Sequence, residues 1–168
     1  MTFANAIRGL RIPETGFQYL SEGAYGVIFV DPAAVRIRKV FKARADEAHA
    51  RAVFDAEVEA YGLARAKPSV ADLVPGGFQL SPIQQVIDKD GSDVTIEFFP
   101  DLAFETDFVP GQFVKIGSID GDEAARVRRL FLDAGIGHTI DMSVTLDSDG
   151  CIVRAIDFAV REHVPVWT

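Results

Sequence analysis

The feature that most constrains this sequence is a pair of glycines, Gly23 and Gly26, set between two apolar stretches. The stretch FQYL, 17–20, precedes them, and VIFV, 27–30, follows them at once. Short apolar runs on both sides of a glycine-containing turn are typical of a β-hairpin. The glycines have two possible explanations. The hairpin needs a positive φ, or the backbone of the loop must come close to a ligand.

The segment VRIRKVF, 35–41, alternates in polarity and predicts a third strand. Lys39 falls on the same side of that strand as Val35, Ile37 and Phe41. A lysine among apolar residues either extends its amine to solvent at a sheet edge or is held there for a purpose.

The first helical pattern covers residues 44–66, which are rich in alanine and glutamate and contain no proline. Two strands are predicted next, over 78–87 and 94–99, joined by a hairpin turn that contains Asp90-Gly91. Pro100 is expected to end the second of them.

The last third of the chain begins with residues 101–119, whose pattern gives no clear assignment. Residues 120–135 predict a second helix, with an acidic start and a glycine at its end. A final hairpin is predicted from VTL, 144–146, and CIVRAIDF, 151–158, on either side of the turn DSDG. The order of elements predicts an α+β fold with an antiparallel sheet.

Composition excludes several classes of protein. The chain has 168 residues, of which 48% are hydrophobic, and a formal net charge of −8. The acidic balance argues against a general nucleic-acid binder, which presents a basic face. No long uncharged apolar run is present, so no membrane span is expected.

The single cysteine, Cys151, excludes an internal disulfide. The first residues, MTFANAIRGLRIP, lack the apolar run and cleavage site of a secretory signal peptide. The sequence therefore predicts a cytoplasmic protein, or one exported without a cleaved signal peptide.

With GAYG between its first two strands, this order of elements resembles the N-terminal lobe of a protein kinase. The stretch SEGAYGVIF is similar to the kinase glycine-rich loop G-x-G-x-x-G-x-V, with Ser21 in the place of the first glycine. IRKVFK is similar to the lysine motif of the third strand, which selects Lys39. FDAEVEAY is similar to the helix that carries the partner glutamate, which selects Glu57.

Two further stretches extend the resemblance. VTIEFFPD is similar to the strand that runs into the hinge of the kinase fold, and AIDFA is similar to the metal-binding D-F-G. In the second stretch Asp157 is kept and Ala159 replaces the glycine.

The resemblance implies a five-stranded antiparallel sheet with one main helix, followed by a rudimentary second lobe of a helix and a β-hairpin. It implies one compact domain over 1–168, in which 1–100 correspond to the N-terminal lobe and 101–168 to a truncated second lobe. Only nine residues follow Ala159, too few for the activation segment and the helical mass that binds substrate in a kinase.

The resemblance also implies ATP and Mg²⁺ as ligands. Lys39 would orient the phosphates, within salt-bridge reach of Glu57, and Asp157 would hold the metal with Ser143. The residues that would surround the nucleotide are Gly23, Ala24, Tyr25, Gly26, Ile28, Lys39, Glu57, Glu97 and Phe99.

The catalytic loop departs from the family pattern. Kinases have H-x-D with an asparagine a few residues later, and GIGHTIDMSV offers His138, Asp141 and Ser143 instead. Counting back from DSDG places Ser143 at the asparagine and His138 at the aspartate. Either the loop is shortened and Asp141 serves as the catalytic aspartate, or the base is lost.

Three functions stay open on the sequence alone. The first is an ATP- and Mg²⁺-dependent phosphotransferase acting on a protein hydroxyl. The second is a pseudokinase-type interaction module with weak or no catalysis. The third is an α+β adaptor that binds no nucleotide. The identity of the protein substrate or partner is not encoded in any motif.

Overall fold

The computed structural model describes residues 4–44 and 46–162 and has an α+β fold with antiparallel sheets. Its backbone divides into two compact units. The first lies within Met1–Arg51 and Gly77–Phe108, and the second within Ala52–Gly76 and Val109–Thr168. The expectation of a single kinase-like domain stays a prediction. Among the described residues, no helix is both long enough and apolar enough to cross a membrane.

The first unit is built on a six-stranded sheet in the order β1-β2-β3-β4-β6-β5, in which every pair is antiparallel. A short helix, α1, precedes the sheet, and α2 begins in this unit and continues into the second. The elements are α1 (Ala4–Ile7), β1 (Arg11–Ile12), β2 (Phe17–Glu22), β3 (Gly26–Val30), β4 (Arg36–Lys42), α2 (Glu47–Ala66), β5 (Gln79–Leu80) and β6 (Phe98–Asp107).

One face of this sheet forms the core of the first unit. Val27 and Val40 are opposite each other on β3 and β4, and both are fully buried. Alternation along the strands puts Phe29 on the same face, where it packs with Phe98. The other members of this buried cluster are Leu10, Ile12, Phe17, Ile83, Val86, Val94 and Ala103.

The strand predicted to end at Pro100 instead begins at Phe98 and continues past the proline, so this part of the prediction was wrong. Residues Thr95–Glu97 form a 3₁₀ turn, and β6 runs from Phe98 to Asp107. The sheet accepts Pro100 because the pairing with β4 jumps from Ala103 to Phe99 and leaves the residues between outside the regular ladder. A proline in such a bulge removes no ladder hydrogen bond.

The strand predicted over 78–87 was also wrong in extent, since only Gln79–Leu80 are regular. Pro82 has no N–H, and on either side of it Ser81 and Ile83 donate to the carbonyls of Ala103 and Pro100. The short strand β1 was not predicted, which is why the sheet has six strands and not five.

The second unit contains the rest of α2, the short helix α3, a longer helix α4 and a three-stranded sheet in the order β7-β8-β9. The new elements are α3 (Pro68–Ala71), β7 (Val114–Lys115), α4 (Gly121–Asp133), β8 (Ser143–Leu146) and β9 (Ile152–Ile156). The helix predicted over 120–135 and the hairpin around DSDG are confirmed, whereas α3 and β7 were not predicted.

The signals that predicted α4 act as expected. The Asp120 carboxylate caps the helix by accepting from the Glu123 N–H at 3.1 Å. Gly135 adopts a φ of +89° just after the helix, a conformation that glycine adopts without strain. Phe131 of α4 lies 5.2 Å from the Phe158 ring, and Phe158 lies 5.0 Å from Tyr61, so three aromatic rings anchor this unit.

A polar network crosses the first sheet where β4, β5 and β6 meet. Glu105 is only 7% exposed, and its carboxylate accepts from Arg36 Nε at 3.1 Å, Arg38 Nη2 at 3.2 Å and Gln79 Nε2 at 2.9 Å. Ser81 Oγ lies 3.2 Å from the same carboxylate. Burial alone would raise the pKa of Glu105, but the hydrogen bonds and the arginine charges outweigh it and hold the pKa below its ordinary value.

The first prediction concerns this network. We expect Glu105→Gln to lower the free energy of unfolding at pH 7 by about 2–4 kcal/mol, because it leaves two guanidinium groups without their buried counter-charge. The pKa of Glu105 is depressed in the folded state, so its contribution is present above the ordinary value of 4.5 and is lost as pH falls through the lower folded value. Urea unfolding at several pH values should show the difference between wild type and variant shrinking below about pH 4.5.

Glu47→Gln is the matched control. Glu47 is exposed on α2 and pairs with Arg51 at 3.4 Å, one turn along the same helix. We expect this change to cost about 0.5 kcal/mol or less. Equal losses for the two variants would contradict the network.

Candidate functional site

The glycine loop, defined here as Gly23–Gly26, is closed by a hydrogen bond from the Gly23 N–H to the Gly26 carbonyl at 2.9 Å. Neither glycine has a positive φ, so the hairpin does not require them for that reason. At Gly26 a Cβ would lie 3.0 Å from Lys39 Cε and 3.2 Å from the Val40 carbonyl, too close for a larger residue without a shift. At Gly23 a Cβ would meet nothing within 4 Å.

The two residues between the glycines differ in environment. Ala24 is exposed at the tip of the loop. Tyr25 is half-buried, its ring stacks on Phe41 at 6.4 Å, and its hydroxyl lies 3.1 Å from His49 Nε2 in the first turns of α2. Burial raises the pKa of Tyr25.

Lys39 lies in the middle of β4, paired with Ile28 on β3 and Phe104 on β6. Its Nζ lies 5.3 Å from the centre of the Phe41 ring and 6.0 Å from that of Phe104, within the range of cation–π attraction. The structure therefore brings Gly26 and Lys39 together on one face of the sheet, with Ile28 beside them.

Glu97 and Phe99 were selected on the premise that a strand ended at Phe99. The strand begins at Phe98 and continues to Asp107, so that premise is wrong, although the role of the two residues near a nucleotide stays a prediction. Both Glu97 carboxylate oxygens accept from Arg8, at 2.8 and 2.7 Å, and these hydrogen bonds hold the pKa of Glu97 below its ordinary value. Phe99 is paired with Phe41 on β4.

In the second unit, Asp157 stands directly after β9 with a φ of +64°. Such a conformation is uncommon for a residue with a Cβ, and aspartate tolerates it better than most. The turn leaves the Asp157 side chain exposed while Phe158 is buried among aromatic rings. Burial, together with the charges of Glu57 and Asp157, raises the pKa of Tyr61, so both carboxylates act on one buried hydroxyl.

The predicted catalytic loop lies beside the Asp157 strand. Ser143 is buried on β8, where it pairs with Ile156, the residue before Asp157. The His138 backbone pairs with Ala159 through hydrogen bonds of 2.9 and 3.1 Å. The structure therefore brings the loop and the stretch AIDFA together.

Asp141 is the most open member of the loop, with 77% of its side chain exposed, and its Oδ2 lies 3.8 Å from His138 Nε2. Its carbonyl accepts from Lys115 Nζ at 3.1 Å, and Lys115 pairs with Ser143 from the neighbouring strand β7. Sequence reasoning missed Lys115, because residues 101–119 have no pattern that assigns them to a strand.

Lys39 belongs to the first unit and Glu57 to the second. The ion pair between them stays a prediction. Within the ranges 4–44 and 46–162, no three His, Cys, Asp or Glu side chains form a group that could hold a metal ion by themselves.

Comparison of the chain with protein-family models, with curated proteins and with solved structures found no match. Any function must therefore be argued from the residues themselves.

The second prediction concerns the backbone at Asp157. We expect Asp157→Ala to be less stable than Asp157→Gly by about 1 kcal/mol, because a positive φ penalises alanine and not glycine. Thermal or urea unfolding of the two variants measures the difference.

In the control, the expected difference in stability between glycine and alanine has the opposite sign. Ala125 is exposed within α4, where glycine in place of alanine costs about 1 kcal/mol. If Asp157→Gly proved less stable than Asp157→Ala, as expected for Ala125→Gly, the positive φ at Asp157 would be refuted.

Proposed function

We propose that this protein is a minimal kinase-like nucleotide-binding protein, which binds ATP with Mg²⁺ and transfers the γ-phosphoryl group to a protein hydroxyl. The observation that carries the proposal is the packing of the Lys39 side chain against Gly26. Lys39 lies on an interior strand, and its side chain lies directly beside a loop that contains two glycines. Glycine-rich loops and a strand lysine are the parts that a kinase uses to hold phosphates.

Gly23 supports the same conclusion by a different route. Neither its backbone conformation nor its packing requires glycine, since φ is not positive and open space surrounds the missing Cβ. Glycine costs backbone entropy on folding, so its presence at an exposed loop needs another reason. Close approach of a phosphate to the Gly23 and Ala24 backbone supplies one.

The arrangement of the first sheet agrees with the proposal. The lysine strand β4 lies between β3, which follows the glycine loop, and β6, and the long helix α2 follows β4 in the chain. These are the relations that the kinase resemblance requires of its N-terminal lobe. Since β6 ends at Asp107, the proposal places the hinge after that residue and not at Glu97–Phe99.

Asp157 is the proposed metal ligand. Its carboxylate is exposed, and its strained backbone is the kind of feature that concentrates at functional sites. Mg²⁺ in nucleotide sites is usually held by one or two carboxylates together with phosphate oxygens and water, so one such residue fits the metal. When bound, Mg²⁺ neutralises charge on the phosphates.

The proposed reaction breaks the bond between the γ-phosphorus and the β–γ bridging oxygen and forms a bond from that phosphorus to the acceptor hydroxyl oxygen. ADP and a phosphoester are the products. Lys39, with Glu57, orients the phosphates. The Asp141 carboxylate accepts the hydroxyl proton. His138, whose Nε2 lies 3.8 Å from Asp141 Oδ2, helps to position that carboxylate.

One observation favours the alternative, a pseudokinase-type interaction module. Ser143 occupies the place of the family's asparagine and is buried within β8, where its one hydroxyl is a poorer metal ligand than a side-chain amide oxygen. In this alternative the protein retains the kinase-like lobe and binds a partner protein, with weak or no phosphoryl transfer.

The third prediction tests nucleotide binding. ATP with Mg²⁺ at about a hundred times its dissociation constant should stabilise the native state by roughly 2.7 kcal/mol and raise the melting temperature by about 5–10 °C. The shift should fall sharply in Lys39→Ala. It should also fall in Asp157→Asn, which removes the charge and tolerates the positive φ. Lys89→Ala, at an exposed lysine of the same unit, should keep the full shift.

Transfer of radiolabelled γ-phosphate to the protein or to a candidate partner separates the two functions. Label that disappears in Asp157→Asn and in Asp141→Asn indicates the enzyme, and a thermal shift without label indicates the interaction module. A wild-type protein that shows no shift at millimolar ATP would refute the proposal.

A further inference from the structure

We propose that Lys42 is a positioning residue, which holds the glycine loop in a fixed shape through Glu22 and thereby sets the affinity for the nucleotide. The inference rests on the proposed function for its last step only. The sequence drew attention to Lys39 in the stretch IRKVFK, and nothing in that pattern gave a role to the second lysine.

Lys42 contacts the glycine loop at two points. Its backbone N–H donates to the Tyr25 carbonyl at 2.8 Å, and its Nζ donates to Glu22 Oε2 at 2.8 Å. Tyr25 lies within the loop, and Glu22 is the residue directly before Gly23. One residue at the end of β4 therefore holds both the entry and the far side of the loop.

The pair is buried, which is unusual for lysine. Lys42 is 7% exposed and the Glu22 side chain 13%. Glu22 also accepts from Asn5 Nδ2 at 3.0 Å, and the Tyr19 hydroxyl lies 3.3 Å from its other oxygen. Burial would raise the pKa of Glu22, but the hydrogen bonds from Lys42 and Asn5 outweigh it and keep the pKa low. The Glu22 carboxylate is thus charged at neutral pH, and each of its oxygens has a partner.

The far side of the loop has further contacts, because Tyr25 stacks on Phe41 and its hydroxyl lies 3.1 Å from His49 Nε2, whereas the entry of the loop at Gly23 has fewer. A Cβ added at Gly23 would have no neighbour within 4 Å. The hydrogen bond from the Gly23 N–H to the Gly26 carbonyl joins two residues of the loop itself. A glycine-containing loop that is free to move must be ordered when a ligand binds, and this cost lowers the affinity. A loop that is already ordered by Lys42 avoids that cost.

Lys42 and Lys39 act from opposite faces of β4. Lys42 is paired with Phe98 and contacts Glu22, on the face that carries the buried Val27 and Val40. Lys39 lies on the other face, against Gly26. A substitution at Lys42 therefore leaves Lys39, the proposed phosphate-binding cation, in place and alters only the contacts that hold the glycine loop.

The test uses four forms of the full chain: Lys42→Met, Lys42→Arg, the double variant Lys42→Met with Glu22→Met, and the control Lys89→Met. Replacing both partners of a buried ion pair by apolar residues restores stability, whereas removing one leaves an uncompensated charge. The double variant therefore separates a structural role from a positioning role. It also keeps the test available if Lys42→Met alone does not fold.

Two measurements are made. Hydrogen exchange of the peptide covering 21–27, without nucleotide, should be about tenfold faster in the double variant than in wild type, while the rest of the sheet exchanges normally. Calorimetry with ATP and Mg²⁺ should show affinity lowered by about tenfold in the double variant. Lys42→Arg, which keeps a cation for Glu22, and Lys89→Met should match wild type in both.

The outcomes separate the two claims. If the double variant matches wild type in loop exchange and in affinity as well as in stability, Lys42 is merely structural and the inference is overturned. If loop exchange is fast but affinity is unchanged, the link to binding is overturned. If loop exchange rises as expected but the wild type binds no nucleotide, the proposed function fails and with it the role in affinity, while the anchoring of the loop by Lys42 is established.

Discussion

The pairing of β4 with β3 on one side and β6 on the other is the constraint on which the first unit depends. Strand β4 contributes Val40 to the buried face, Arg36 and Arg38 to the Glu105 network, and Lys39 to the face that carries Gly26. Alternation along one strand fixes all of these directions at once. A shift of the register by one residue would exchange the two faces and bury the wrong side chains.

The charges of this strand are handled in two different ways. The arginines share a carboxylate that accepts hydrogen bonds from both, so the cost of removing the charges from water is offset within the network. Lys39 lies within cation–π distance of two aromatic rings, those of Phe41 and Phe104.

The local sequence pattern predicted the elements whose start and end are set by residues within the segment. It failed for strands that form only by pairing with a segment distant in the sequence. The helix α4 and the last hairpin carry their caps and turn residues within the segment, at Asp120, Gly135 and Gly150. Strand β6 could not be located, because Pro100 normally ends a strand and is accepted here only through a bulge opposite β4. Lys115 was missed for a related reason, since β7 exists only by pairing with β8.

The Lys42–Glu22 pair shows why a site is harder to predict than the fold around it. Two apolar side chains would stabilise the same corner of the sheet at least as well, because a buried ion pair is rarely more stable than a well-packed apolar pair. The ion pair differs from an apolar pair because it also orients the Glu22 side chain. Its hydrogen bonds fix the position of the carboxylate at the residue from which the glycine loop departs. Stability therefore does not explain the choice of residues, whereas the geometry of the loop does.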